Sequence, residues 1–302
     1  MGEKIGSGVE CEVYKIKHKK SQRIFSLKAI KYRKEQKRNI CELNILKKLK
    51  NKNIMEVFSI IPNENKNCDL IIMGLGNHGN LRDFQLKVIK QNYLSESLLC
   101  FFTFQVLNAL HYCNECHVVH LDIKPQNIVI DGYLNAKLID FSISLDYSKI
   151  KSKEIRLPLC GTNFYIAPEI LSSQTIQKKD LNKCDLYSLG ITLYNLAFGN
   201  FPFDLKHEDA KNHEKIREKV NTKELEIVNE GDYYSKYFID FIKKLLEKNI
   251  EKRMNINEAL NHHWIQGSKI LFDEKEKLYN ATSFLGDLIT DNISNFNKFI
   301  KN

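Results

Sequence analysis

His120-Leu121-Asp122-Ile123-Lys124-Pro125-Gln126-Asn127 sets a carboxylate, a cation and a neutral amide within eight positions. Asp122 is able to accept a hydrogen bond from an attacking hydroxyl, Lys124 to neutralise a phosphoryl group in transit, and Asn127 to offer an uncharged oxygen to a magnesium ion. These are the side chains phosphoryl transfer requires. Pro125 argues against a helix across the motif, because proline lacks the amide proton that a helix interior uses. The stretch therefore reads as a loop, followed by a short strand at Ile128-Val129-Ile130 and a turn at Asp131-Gly132.

Outward from this loop, other segments supply what it lacks. Near the start, Ile5-Gly6-Ser7-Gly8-Val9-Glu10-Cys11-Glu12-Val13 carries two glycines that let a backbone turn come close to phosphates, flanked by strand formers. Lys28 lies in the strand-like Ile24-Phe25-Ser26-Leu27-Lys28-Ala29-Ile30. Glu42 opens Glu42-Leu43-Asn44-Ile45-Leu46-Lys47-Lys48-Leu49, whose apolar residues recur at helical spacing. A strand lysine paired with a glutamate on a facing helix is fixed where it can hold non-reacting phosphates. Leu138-Ile139-Asp140-Phe141 ends an apolar run with a carboxylate, a second oxygen ligand for a metal beside Asn127.

These residues, in this order, resemble the eukaryotic serine/threonine protein kinase family over residues 2–266, in motif style most similar to calcium/calmodulin-dependent-type kinases. The resemblance implies an α+β, bilobal fold: a small antiparallel β-sheet lobe with one helix over residues 1–73, a hinge at 74–80, and a larger, mainly helical lobe at 81–266. Together these make a kinase domain of residues 1–266. It implies ATP and Mg2+ as cofactors, Asp122 as catalytic base with Lys124, Lys28 as phosphate anchor with Glu42, and Asn127 and Asp140 as metal ligands. Ile5, Gly6, Ser7, Gly8 and Val13 then form the phosphate loop. Ser26, Met73 as gatekeeper, Gly74, Gly76, Asn80 and Val129 line the nucleotide pocket, with backbone groups of Gly74 and Gly76 on adenine. Ala167-Pro168-Glu169 looks like the end of the activation segment, Asp185 like a buried brace under the catalytic loop, and Arg253 like the partner of Glu169. Lys124, and Thr162 in Cys160-Gly161-Thr162, are similar to the serine/threonine branch. The segment from Asp140 to Glu169 implies a protein substrate.

Composition agrees with this reading. With 302 residues, 43% of them hydrophobic, two lobes are natural at about 100 to 200 residues per domain. No apolar run approaches the roughly 18 residues of a membrane span. Met1-Gly2 opens like a myristoylation site, but Gly6 stands where that motif needs serine or threonine. The polar N-terminus has no secretory signal, and the eight scattered cysteines read as free thiols. A cytoplasmic protein is expected, with the nucleus left open. Lysines cluster at Lys15 to Lys37 and Lys47 to Lys52 and contribute to a formal charge of +9. Few aromatics interleave them, so they read as a solvated surface; neither nucleic acid nor membrane is an expected partner, and a monomer is the default.

One pattern competes. Cys113-Asn114-Glu115-Cys116-His117 has the letters of a haem-attachment site, yet it joins a helix expected from Leu98 to Tyr112 to the catalytic loop and lacks a second cysteine pair, so it reads as packed or exposed thiols. His120 is expected to pack beside Phe141.

Several departures from the family pattern make the chain individual. Leu121 stands where most relatives place an arginine that grips an activation-segment phosphate, and Pro158 stands at the usual receiving threonine, so activity is expected not to need phosphorylation there. Ser142 replaces the glycine after Asp140-Phe141, and Cys11 the third glycine of the phosphate loop. These two changes keep a nucleotide-binding pseudokinase acting as a scaffold as the alternative. Asn80 and Gln126 occupy positions where relatives selective for arginine carry carboxylates, so only a weak preference for basic peptides is expected. Residue 1 lies close before Gly6, which reads as a short first strand or a truncated start. No calcium-binding loop is present. The tail, residues 267–302, carries Leu285, Ile289, Ile293, Phe296 and Ile300 at helical spacing; it reads as a helix packed on the large lobe, with a regulatory or partner-binding helix as the alternative.

Overall fold

Strand alternation puts Ser26 and Lys28, two polar residues, on the buried face of the third strand, an inversion of the usual apolar-in pattern that marks this face as more than core. In the computed structural model, residues 2–8, 11–31, 40–63, 67–89, 93–229, 231 and 233–267 are described. Five antiparallel strands form the N-terminal sheet: β1 (Glu3–Ser7), β2 (Cys11–Lys17), β3 (Ile24–Lys31), β4 (Val57–Asn63) and β5 (Cys68–Met73), in the order β1-β2-β3-β5-β4. Helix α1 (Ile40–Lys48) crosses between β3 and β4 and buries Leu43 and Ile45, followed by Leu49.

Past the sheet the chain turns helical. Asn80 caps the turn α2 (Leu81–Asp83) by accepting the Asp83 N–H at 2.9 Å, and the chain continues as a π-helical turn over Phe84–Ile89. Then come α3 (Glu96–Glu115), β6 (Val118–Val119), β7 (Ile128–Ile130), β8 (Ala136–Leu138), β9 (Leu145–Asp146), β10 (Glu154–Arg156), α4 (Pro168–Leu171), β11 (Thr175–Gln177) and α5 (Asn182–Phe198). α6 (His213–Thr222), α7 (Lys236–Leu245) and α8 (Ile256–Leu260) complete the described part. The small sheet and the mainly helical remainder are the two lobes expected of the sequence.

α5 is buried at every position from Lys183 to Ala197, which is why its sequence is apolar on most sides; Gly199, in the left-handed region at φ 74°, ends it. Trp264 packs against Phe238 and Phe241 at ring distances of 4.9 Å and donates its indole N–H to Glu96 at the start of α3. Glu96 also accepts from the amide and hydroxyl of Ser235, so one carboxylate joins α3, α7 and the segment after α8.

The two lobes are riveted behind the cleft. Leu138 donates its amide to the Asn53 carbonyl, and Met55 returns the bond to Leu138, each at 2.9 Å. The Asn53 side chain reaches Gln105 on α3 and the Ala136 carbonyl. In this way the loop after α1 is tied to β8, just before Asp140. Pro125 does not forbid helical structure as expected. It occupies the first position of a single 3-10 turn, Pro125–Asn127, where its missing amide proton is not needed. The expected helical tail falls on residues 268–302, outside the described residues.

Candidate active site

Lys28 projects from β3 and is held from two sides: Glu42 on α1 at 3.0 Å and Asp140 at 2.9 Å. Burial alone would strip its proton, but the charges and hydrogen bonds of Asp140 and Glu42 outweigh that and hold its pKa above the ordinary lysine value. For Asp140, burial works to raise the carboxyl, and Lys28, with help from the Ser142 hydroxyl, more than reverses it, leaving it below the ordinary aspartate value. Lys28 and Asp140 therefore stay ionic while largely shielded from water.

The catalytic-loop motif hangs from α5. Asp185 accepts the backbone N–H groups of His120 at 2.8 Å and Leu121 at 2.7 Å. This anchors Leu121 at φ 67°, a left-handed conformation that a branched side chain rarely takes without outside support. Burial pushes the Asp185 carboxyl up, opposed by His120 and the two amides. His120 lies 4.7 Å from the Phe141 ring and shares a 3.0 Å hydrogen bond with the Ile139 carbonyl, which joins the loop to the segment carrying Asp140.

Asp122 sits at the centre of a polar cluster. One of its oxygens accepts from the Thr162 amide at 3.1 Å and the Thr162 hydroxyl at 2.7 Å. The other accepts from Lys124 at 2.7 Å and from the Asn127 amide nitrogen at 2.7 Å. Lys124 also donates to the Thr162 hydroxyl at 2.6 Å, so that oxygen is clamped between a carboxylate and an ammonium. Because the Asn127 nitrogen is committed to Asp122, its amide oxygen points elsewhere. The Ile139 amide donates to the Asn127 carbonyl at 3.0 Å, which sets Asp140 next to Asn127. Asp140 itself sits at φ 66°. A carboxylate and an amide oxygen are hard donors suited to a magnesium ion, so this pair fits the metal that the sequence implies.

Register pairs and close contacts link several of the residues expected around a nucleotide to one another. Val13 lies opposite Lys28 in the β2–β3 register, and Gly6 opposite Val13. Ile5, Gly6 and Ser7 run along β1, and Gly8 donates its amide to the Cys11 carbonyl at 2.8 Å. The loop tip, Val9 and Glu10, falls outside the described residues. Met73 pairs with Ser26 across β3 and β5, and Asn80 bridges Val129. Gly76 has to be glycine, since a β-carbon there would sit 2.8 Å from that of Val129.

Gly74 differs from the expectation in one respect. Its amide is already given to the Glu56 carbonyl at 3.0 Å, and its own carbonyl accepts the Ser26 hydroxyl at 2.6 Å. Only a second lone pair on that carbonyl is left for a ligand. The Ser26 bond was legible in part, as a polar residue at a buried strand position. The clamp on the Thr162 hydroxyl was not, because nothing local links Thr162 to Asp122.

Beneath the activation segment, Arg253 grips Glu169 through two hydrogen bonds of 2.8 and 2.9 Å, both side chains buried, with the guanidinium 4.9 Å from the Tyr187 ring. Cys113 is buried on α3 and Cys116 lies at its end. Among the described residues, no three histidine, cysteine or acidic side chains are grouped to hold a metal. Nor is any described helix long and apolar enough to cross a membrane.

The protein kinase domain family matches residues 1–265. An Aurora kinase of Schizosaccharomyces pombe is 32% identical over 275 residues, covering 88% of this chain and 70% of its own length. The NUAK family SNF1-like kinase 1 of Homo sapiens is 28% identical over 296 residues, and Calcium-dependent protein kinase 6 of Plasmodium berghei 31% over 228. Those alignments cover 96% and 75% of this chain but only 42% and 14% of the two relatives. With the family match running almost unbroken from the first strand to α8, the chain belongs to the eukaryotic serine/threonine protein kinase family.

Proposed function

We propose that residues 1–266 form a catalytic domain that transfers the γ-phosphate of ATP to serine or threonine hydroxyls of protein substrates, with residues 1–73 and 81–266 as its lobes and 74–80 as its hinge. The observation that carries this is the Thr162 hydroxyl. It donates to Asp122 and accepts from Lys124, the two bonds an attacking aliphatic alcohol would need. A substrate hydroxyl that takes this place has its proton drawn towards Asp122 as base, while Lys124 offsets charge on the moving phosphoryl group.

Lys28, oriented by Glu42, holds the non-reacting phosphates beneath the β1–β2 turn of Ile5, Gly6, Ser7, Gly8 and Val13. The purine is enclosed by Ser26, Met73, Gly76, Asn80 and Val129, with the Gly74 carbonyl as its remaining acceptor there. The Asn127 amide oxygen and the Asp140 carboxylate would hold Mg2+, which would supply positive charge to offset that of the phosphates. Ser142 supports rather than displaces the metal carboxylate, since its hydroxyl bonds Asp140, and this weighs against the scaffold reading.

Activity does not depend on a phosphate at the usual slot. Leu121 is buried and apolar where a phosphate-binding cation would be needed, and Pro158 has no hydroxyl. Selection for basic peptides is weak, because the Asn80 side chain is occupied in capping α2 and bonding Asp83. A peptide array with a dominant arginine requirement three residues upstream of the target would contradict that point.

Incubation with labelled ATP, Mg2+ and a generic protein substrate tests the whole reading. Label on serine or threonine, lost in Asp140→Asn, is the expected result; nucleotide binding with no transfer by the unmodified chain would favour the scaffold.

A further inference from the structure

Directly after β9 the chain buries a phenol where its surroundings are open. Tyr147 is 5% exposed, whereas Ser148, Lys149 and residues 151–154 are exposed. A tyrosine covered in this way needs a partner for its hydroxyl. The hydroxyl donates to Asn114 Oδ1 at 3.1 Å, near the end of α3. The same oxygen accepts from the Asn182 carboxamide at 2.8 Å, at the start of α5. The Tyr147 amide donates to the His117 carbonyl at 2.9 Å, and the two rings lie 5.6 Å apart.

Lys178 closes the other side. Its ammonium lies 5.8 Å from the centre of the Tyr147 ring and donates to the Ile150 carbonyl at 2.7 Å, while its amide donates to the Lys153 carbonyl at 2.8 Å. Just ahead of Lys178, β11 pairs antiparallel with β10, setting Ile155 opposite the buried Ile176. Lys178 and Asn182 stand at the entry to α5, the helix whose Asp185 holds the catalytic loop. The activation segment and the catalytic loop hang from the same support.

Little slack remains between this grip and the reacting groups. Leu157, next after β10, is buried. Gly161 sits at φ 104°, and a β-carbon there would lie 2.8 Å from the Leu121 carbonyl. Thr162 follows, with its hydroxyl between Asp122 and Lys124.

We propose that Tyr147 is a positioning residue for phosphoryl transfer. By fixing the start of the activation segment to α3 and α5, it holds the far end of that segment against Asp122 and Lys124 with no phosphate on the segment. The proposal rests on the transfer reading above and deepens it, since it names what holds the segment when Leu121 and Pro158 leave no phosphate clamp.

The test uses the full chain and three variants: Tyr147→Phe, which keeps the ring and loses the bond to Asn114, Tyr147→Ala, and Tyr147→Phe with Asn114→Ala. Three quantities are measured: the kinetics of transfer to a protein substrate, nucleotide affinity, and the rate of tryptic cleavage after Lys149, Lys151, Lys153 and Arg156. Trp264 fluorescence checks that the fold is kept. Tyr147→Phe is expected to lower kcat/KM for the protein substrate by roughly threefold to tenfold, mainly through a higher KM, with nucleotide affinity unchanged. Tyr147→Ala should lower it further, and Asn114→Ala should add little to Tyr147→Phe because the two changes break one bond. Cleavage in the segment should rise severalfold in the variants while cleavage after the exposed Lys19 and Lys20 stays constant.

Unchanged cleavage in Tyr147→Ala, faster cleavage with unchanged transfer, or nucleotide affinity that falls in step with transfer would each overturn the proposal. An unmodified chain that transfers no phosphate would overturn the transfer reading instead. The cleavage rates would then decide the anchor by themselves, faster cleavage supporting it and equal cleavage refuting it.

Discussion

Lys28 Nζ lies 2.9 Å from Asp140 Oδ1, a bond that closes the cleft across 112 positions of sequence. The Lys28 pKa is held above its ordinary 10.5, so the stability this group contributes is complete below 10.5 and fades only as pH rises through its native value. The Asp140 pKa is held below its ordinary 3.8, so its contribution is complete above 3.8 and fades only as pH falls through its native value. Both contributions are therefore present together from 3.8 to 10.5. Carbon NMR of the Asp140 carboxyl should show no titration between about pH 5 and about pH 9. A midpoint inside that window would mean that the pair is not formed in solution.

The Glu169–Arg253 pair is buried and bidentate, so removing one partner leaves an uncompensated charge. Arg253→Ala is expected to destabilise the fold by about 3 to 5 kcal/mol. Trp264 is the only tryptophan and is buried in the large lobe, so its fluorescence during urea unfolding reports the loss. Replacing both partners together, Arg253→Met with Glu169→Leu, should cost less than the single change. If the double change cost more, desolvation would not be the governing term.

Thiol chemistry separates the cysteines. Burial pushes the Cys113 and Cys184 thiols far above the usual value, which keeps them protonated as well as covered, while Cys41 is exposed on α1. Maleimide at about pH 8 should label Cys41 within minutes and leave Cys113 and Cys184 unlabelled until urea is added. Early labelling of Cys113 would show that α3 opens locally.

Most of the candidate site was legible because its chemistry is carried by residue type. Carboxylate, lysine and asparagine in the catalytic loop, a lysine on a strand and a glutamate opening a helix can be read without coordinates, and the apolar α5 betrays its burial. What was not legible depends on contacts between distant residues or on backbone angles. The positive φ of Leu121 and Asp140 follows from hydrogen bonds to Asp185 and packing around Phe141, not from their own preferences. Nothing in the sequence singles out Glu96, which accepts bonds from Ser235 and Trp264. Pro125 was read only as a breaker, when the first position of a 3-10 turn accepts it without loss.

The proposed independence from an activation-segment phosphate is testable with a phosphatase. Phosphatase treatment should leave the rate of phosphoryl transfer within about twofold of the untreated protein, since neither Leu121 nor Pro158 can take part in a phosphate clamp. Abolished activity, restored by one phosphate on the segment from Asp140 to Glu169, would contradict it.

The most direct measurement is single-turnover transfer of labelled phosphate from ATP and Mg2+ to a serine or threonine substrate, comparing the unmodified chain with Asp122→Asn while nucleotide affinity is measured on the same samples. If Asp122 is the base, transfer falls by on the order of 10² to 10⁴ and nucleotide affinity stays nearly constant. Equal transfer by the two proteins, or no transfer by either despite bound nucleotide, would contradict it.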